Sequence, residues 1–131
     1  MRALSLTAVA ALVALTFAAC GGKEEISVSK DDPDFAGAQL FSTNCAGCHT
    51  LEAAGSQGTG NRGQRTQGPN LDQRTESYED AIFAIRNGGF SGAIMPQNIV
   101  VGDEAEQVAR FVAKYAGKDA QTTVRPEESG G

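Results

Sequence analysis

The feature that most constrains this chain is a pair of cysteines, two residues apart, followed at once by a histidine. The segment is Cys45-Ala46-Gly47-Cys48-His49, and this pattern is the attachment signature of a c-type haem. The two thiols add to two vinyl groups on one edge of the porphyrin, and the histidine reaches the iron as the proximal ligand. The motif therefore predicts a chain that folds around one covalently attached haem c.

The scarcity of metal-binding residues weakens the alternatives. The 131 residues include three cysteines and one histidine, whereas a structural zinc site needs four ligands, mostly sulfur and nitrogen. A redox-active CxxC pair belongs beside a βαβ pattern, and no stretch here alternates long enough to predict a strand. A disulfide between Cys45 and Cys48 would close too short a loop to stabilise much. We therefore favour the haem interpretation, and the single histidine limits the chain to one such haem.

The N-terminus has the features of an exported chain. Arg2 is the only charge in the first twenty residues, and residues 3–19 are apolar or small, as in a secretory signal peptide. The run ends in FAACG, residues 17–21, which resembles a bacterial lipobox with Cys20 as the lipid-modified residue. An uncleaved anchor helix is the alternative, although the run is shorter than the roughly 20 residues that span a bilayer. Both place the rest of the chain outside the cytoplasm, on the periplasmic face of the cell membrane.

Composition divides the mature chain into three parts. Residues 20–32 are predicted to be the lipidated cysteine and a flexible tether, with a reach of about 19 Å. Residues 33–118 are predicted to be one domain, and residues 119–131 a flexible tail. The formal net charge of −5 argues against non-specific nucleic-acid binding, which needs a basic face.

Three helices are predicted in the domain from start and stop residues and from apolar spacing. The start and stop residues are Asp32 with Pro33 for the first helix, Ser77 with Gly88 and Gly89 for the second, and Asp103 with Gly117 for the third. Residues 53–70 contain five glycines and little that is apolar, and are predicted to form an exposed loop. The domain has few large aromatic residues for its size, as expected if a cofactor completes its core.

Met95 is the candidate for the sixth iron ligand. His49 is the only histidine, and Met95, followed by Pro96, is the only methionine after the signal peptide. A methionine more often fills a gap in a core, but this one lies on the predicted loop between the second and third helices. Tyr78, Tyr115 and the lysines remain weaker alternatives.

The motifs and their order resemble the class I cytochrome c family over about residues 34–118. They are Gly37 and Phe41, the Cys45–His49 motif, Gly68-Pro69-Asn70-Leu71, Met95-Pro96, and Phe111 with Tyr115. The resemblance implies an all-α cytochrome c fold, with three or more helices wrapped around the haem. It also implies that Gly37 and Phe41 pack against the last helix, and that the Pro69 carbonyl accepts a hydrogen bond from His49, which fixes the imidazole.

The predicted function is single-electron transfer, not catalysis. Ligation by His49 and Met95 raises the reduction potential relative to other ligand sets and leaves no open coordination position. The family resemblance implies membrane redox partners, namely a quinol-oxidising complex and a terminal oxidase or other reductase, and we expect a monomer. The alternatives are a haem enzyme or ligand sensor with a labile sixth site, and a donor domain dedicated to one enzyme.

Three arginines cluster in the sequence around the glycine-rich loop, at Arg62, Arg65 and Arg74. A docking patch is one interpretation of such a cluster. We favour the simpler one, in which they are solvated loop charges.

Overall fold

The computed structural model describes residues 25–58, 68–90 and 94–120. Within them, three α-helices are joined by short irregular segments. They are α1 (Phe35–Asn44), α2 (Tyr78–Asn87) and α3 (Gly102–Tyr115). Two-residue strands β1 (Thr50–Leu51) and β2 (Ser56–Gln57) pair antiparallel, and single 3₁₀ turns cover Glu52–Ala54 and Leu71–Gln73. The predicted all-α, three-helix architecture is confirmed.

The contact between α1 and α3 forms the centre of the core. Gly37 lies so close to α3 that a Cβ there would meet the Gln107 carbonyl oxygen and would lie 2.7 Å from the Phe111 Cβ. The rings of Phe41 and Phe111, both buried, have centroids 5.9 Å apart and are tilted by 60°. Phe111 in turn contacts Tyr115, with centroids 5.1 Å apart. This is the packing that the family resemblance implies.

Helix α2 begins and ends as its sequence predicts. The Ser77 side chain accepts a hydrogen bond from the backbone N–H of Asp80 at 3.0 Å, which satisfies one of the free donors of the first turn. Gly88 ends the helix in a left-handed conformation with φ of 75°, which glycine adopts without the steric cost that a side chain brings.

The other two helices start at different positions from those predicted. Helix α1 begins two residues after Pro33, because Asp32 forms a turn in which its carboxylate accepts the Asp34 N–H at 2.8 Å. Helix α3 begins at Gly102, and its N-cap, Val101, makes no side-chain cap hydrogen bond. Asp103 therefore lies in the first turn, where its negative charge interacts favourably with the positive end of the helix dipole.

The segment before α1 contacts the domain, which differs from the predicted flexible tether. The Ser27 N–H donates to the Ala53 carbonyl at 3.3 Å, and Val28 is buried. Asp32 accepts hydrogen bonds from the Tyr115 hydroxyl at 2.7 Å and from the Lys114 ammonium at 3.1 Å. Apolar burial of Ile26 and Val28 and the polar network of Asp32 thus hold this segment against the β1–β2 region and α3.

The start of the predicted exposed loop is also packed, and this corrects the prediction for residues 54–56. Ala54, Gly55 and Ser56 are all buried, and Ser56 belongs to β2. The signal peptide, Cys20, residues 59–67 (with Arg62 and Arg65) and the end of the tail lie outside the described residues. Within the described ranges, no helix is long and apolar enough to cross a membrane.

Candidate functional site

A largely apolar cavity of about 690 Å³ lies among the three helices and the loops that join them. Cys45, Cys48, His49, Pro69 and Met95, which are the residues that the sequence singles out for haem binding, all line it. Its volume is within the range of about 300–1,000 Å³ that small-molecule sites have. Helices and loops far apart in sequence supply its apolar lining, which includes Phe41, Leu71, Ala81, Ala84, Ile85, Ile99, Val108 and Val112.

The two cysteines reach the cavity because α1 ends there. Cys45 is the C-cap of α1, and a turn follows in which the N–H groups of Cys48 and His49 both donate to the Cys45 carbonyl, at 3.1 and 3.0 Å. Both are free thiols; Cys45 is buried and Cys48 exposed. Burial, aided by the nearby Cys48, raises the pKa of the Cys45 thiol to about 12.

His49 is held by a hydrogen bond on one ring nitrogen. Its Nδ1 lies 3.1 Å from the Pro69 carbonyl oxygen, which makes Nδ1 the protonated nitrogen of the neutral ring and leaves the Nε2 lone pair free. Burial lowers the pKa of His49, while the Pro69 hydrogen bond acts weakly in the opposite direction. The geometry therefore favours a neutral imidazole with one nitrogen able to bind a metal.

Three neighbours fix the position of His49 more tightly than the sequence indicates. A Cβ added to Gly68 would lie 2.5 Å from His49 Nδ1 and 2.7 Å from Nε2, so only glycine fits beside the ring. The Gly68 N–H donates to the Cys48 carbonyl at 2.8 Å. The hydroxyl of buried Ser56 donates to the His49 carbonyl. Gly68 was part of the motif that carries the family resemblance, but no sequence signal identifies Ser56.

Met95 reaches the same cavity from the loop between α2 and α3. The end of α2 anchors this loop: the Asn98 N–H donates to the Ile85 carbonyl at 2.8 Å, and the Gln97 amide to the Asn87 carbonyl at 3.3 Å. Gly88 lies against the loop, so a Cβ there would lie 2.7 Å from the Met95 carbonyl oxygen. Met95 is half-buried, and its neighbours Phe90 and Ile94, which also line the cavity, are exposed.

The other candidates for the sixth ligand lie elsewhere. Tyr115 is the last residue of α3, and its hydroxyl donates to Asp32. Tyr78 lines a separate shallow groove with Asp34, Arg110 and Lys114. No tyrosine or lysine among the described residues lines the haem-sized cavity. Within the same ranges, no three His, Cys, Asp or Glu side chains are grouped as a metal site would need.

Charged residues at the cavity include a pair that sequence reasoning missed. Arg74, predicted to be a solvated loop charge, forms an ion pair through Nε with the Glu76 carboxylate, and both side chains line the cavity. Their side chains are 52% and 10% exposed, respectively. Asp80 also lines the cavity, and its carboxylate accepts a hydrogen bond from the Ser77 hydroxyl at 2.8 Å. These positions carry no motif, so only the fold could bring them together.

The donor set and the shape of the cavity fit a haem. An apolar cavity suits the porphyrin ring, two free thiols three residues apart suit the thioether bonds, and a neutral imidazole and a thioether suit the two axial positions of iron. The closeness of Gly68 to His49 keeps one side of the imidazole free of any side chain. The site is thus compatible with the cofactor that the motif predicts.

Residues 36–116 match the family model for cytochrome c. This match covers more than half of the chain, and the chain belongs to the cytochrome c family, whose members carry electrons with a covalently bound haem c. The c-type cytochrome SorU from Sinorhizobium meliloti is similar in structure, with a TM-score of 0.51 and 34% sequence identity over 64% of this chain and 91% of that one. No curated protein matches the chain.

Proposed function

We propose that the chain is a membrane-tethered cytochrome with one haem c, ligated by His49 and Met95, that carries single electrons on the periplasmic face of the cell membrane. The observation that best supports this is that one apolar cavity is lined by His49, both cysteines and Met95. Among the described residues that line it, Met95 is the one strong axial donor left after the CxxCH motif is assigned.

The residues around the cavity each have a part in electron transfer. When bound, the haem supplies a one-electron Fe(III)/Fe(II) couple. Cys45 and Cys48 would hold it covalently, and His49 and Met95 would ligate its iron, which would leave no place for a substrate to coordinate. Pro69 keeps the His49 ring in one tautomer and orientation. The apolar lining excludes water, which disfavours the more highly charged ferric state and raises the reduction potential.

The proposed location is the membrane surface. The lipobox-like sequence at Cys20 supports a lipid anchor, and covalent haem attachment takes place outside the cytoplasm, which agrees with export. Stable anchoring needs two or more acyl chains, since one chain binds a membrane only marginally. A tether keeps the effective concentration of the carrier high near its partners. We propose a quinol-oxidising complex as electron donor and a terminal oxidase or other reductase as acceptor.

Spectroscopy of the detergent-extracted holoprotein tests this proposal. We expect a low-spin spectrum with the methionine–iron absorption band, one reversible one-electron transition in a redox titration, and a mass showing acylation at Cys20. Absence of that band from the ferric protein, together with rapid binding of carbon monoxide by the ferrous protein, would instead identify a ligand sensor or haem enzyme. Stoichiometric co-purification with one enzyme would identify a dedicated donor.

A further inference from the structure

The ion pair of Arg74 and Glu76 lies on the wall of an otherwise largely apolar cavity. Charged side chains are rarely buried without a partner, because desolvation disfavours them. Here the two residues pair with each other, but they differ in burial: the Glu76 side chain is 10% exposed and that of Arg74 is 52% exposed. The negative charge is therefore shielded from water by the protein, whereas the positive charge is largely screened.

Both charges act on the cavity. Both residues line it, so each charge lies at the wall of the space that the haem would occupy. Reduction of a haem iron removes one unit of positive charge from the site, so a nearby carboxylate stabilises the oxidised form and a nearby guanidinium stabilises the reduced form. Interactions of buried charges are less weakened by solvent than those of exposed ones, so Glu76 has the stronger effect of the two.

We infer that the Arg74–Glu76 pair sets the reduction potential of the cytochrome, with Glu76 lowering it and Arg74 partly offsetting that effect. The inference rests on the proposed function, because it needs a redox-active iron in this cavity. Both residues would act on the iron electrostatically, through their charges, and neither would contact it. Asp80, the other carboxylate at the cavity wall, is exposed and is bonded to the Ser77 hydroxyl, so its contribution is screened.

Redox titration of the full-length holoprotein and three variants tests the inference. Glu76→Gln is expected to raise the midpoint potential by an amount equal to about a threefold or larger change in the ferric-to-ferrous ratio, which is about 28 mV or more at 59 mV per tenfold change. Arg74→Gln is expected to lower the potential by a smaller amount. The midpoint potential of the double variant is expected to lie slightly above that of the wild type, because the larger lowering effect of Glu76 is removed together with the smaller raising effect of Arg74.

Matched controls separate this effect from general changes in charge. Glu79→Gln and Arg86→Gln remove exposed charges on α2 that do not line the cavity, and they should leave the potential near that of the wild type. Arg74→Lys keeps the charge and should also leave it nearly unchanged. Shifts of the same sign in the two cavity variants, or shifts no larger than those of the controls, would overturn the inference.

The spectrum recorded with each titration distinguishes this failure from failure of the proposed function. If the methionine–iron band is present and the potentials do not follow the predicted signs, only the role of the ion pair is wrong. If the wild type lacks the band or a reversible one-electron transition, the proposed function is wrong.

Discussion

The two parts of the cavity that carry the proposed iron ligands are built differently. The His49 wall, which we define as residues 45–49 and 68–71, is bonded both internally and to β2. Within it the His49 ring donates to the Pro69 carbonyl and the Gly68 N–H to the Cys48 carbonyl, and from β2 the Ser56 hydroxyl donates to the His49 carbonyl. The Met95 wall, residues 88–90 and 94–98, is attached mainly to the end of α2 by backbone hydrogen bonds.

This contrast indicates which ligand the protein holds more firmly. Local opening has the lowest free energy where buried apolar contacts are few and hydrogen bonds are exposed. Phe90 and Ile94 are exposed by 61% and 65%, and the Gln97 hydrogen bond is exposed as well. His49, by contrast, lies between Phe41, Pro69 and the backbone at Gly68. We therefore expect the Met95 wall to open before the His49 wall.

Removal of the ligands themselves should give the largest effects. His49→Ala is expected to abolish assembly of a stable holoprotein, because the tightly held ligand is lost. Met95→Ala is expected to retain covalent haem but to become high-spin and to bind carbon monoxide readily. Haem staining of denatured protein and the visible spectrum measure the two outcomes. Equal loss of haem in both variants would remove the distinction between the walls.

A methyl group at Gly68 should disturb the His49 wall next most strongly. The added Cβ overlaps the imidazole, and overpacking of this kind costs about 1–3 kcal/mol. Gly68→Ala is expected to lower the free energy of unfolding by that amount, as measured in guanidinium chloride. Gly47→Ala is the matched control, because a Cβ at Gly47 would meet nothing within 4 Å; the same loss in both variants would contradict the steric account.

A methyl group at Gly88 should disturb the Met95 wall while leaving the His49 wall intact. Gly88 has a φ of 75°, and its Cβ would lie 2.7 Å from the Met95 carbonyl. Gly102→Ala is the matched control, since its φ of 55° brings a similar backbone cost, about 1–2 kcal/mol, without any contact within 4 Å. Carbon monoxide binding is expected to accelerate in Gly88→Ala only. Acceleration in both variants would show that backbone strain, and not contact with the loop, is responsible.

The smallest effect is expected from lowering the pH, which should reduce the stability of the fold at Asp32 without changing either wall of the cavity. The Tyr115 hydroxyl, the Asp34 N–H and Lys114 hold the pKa of Asp32 below its ordinary value. A lowered folded-state pKa stabilises the fold above the unfolded-state pKa, and this stabilisation is lost as the pH falls through the folded-state value. Tyr115→Phe is expected to weaken the pH dependence of the free energy of unfolding, measured between about pH 2 and 5. A change in the methionine–iron band of this variant at neutral pH would contradict it.

Much of the fold follows from local signals in the sequence. Ser77 and Gly88 define α2 because capping and left-handed geometry depend on residues close in sequence. The cysteines and His49 form one site for the same reason. The start of α1 was less predictable, because Asp32 is engaged by Tyr115 and Lys114, which lie more than 80 residues away along the chain. The start of α3 was less predictable because its N-cap, Val101, makes no side-chain cap hydrogen bond.

The less predictable parts of the site depend on contacts between distant segments. Ser56, Arg74 and Glu76 belong to no motif. Their roles arise only when β2 meets the backbone of His49 and the segment before α2 meets the cavity. Residues 27–32 look like a linker by composition, yet Val28 is buried through contacts that composition does not reveal. Polar sequences can pack when the domain supplies their partners.

With the proposed lipid anchor, the attachment of this segment to the domain would limit the distance between the domain and the membrane. If the lipid is carried by Cys20, as we propose, the chain that separates it from the first hydrogen bond to the domain, at Ser27, is seven residues long. These seven residues span at most about 25 Å. A tether that extended to residue 32 would span at most about 43 Å. The near side of the domain would then lie within that first distance, about 25 Å, of the bilayer surface, and an electron-transfer partner would have to present its docking site within that distance plus one small-domain diameter, about 30 Å.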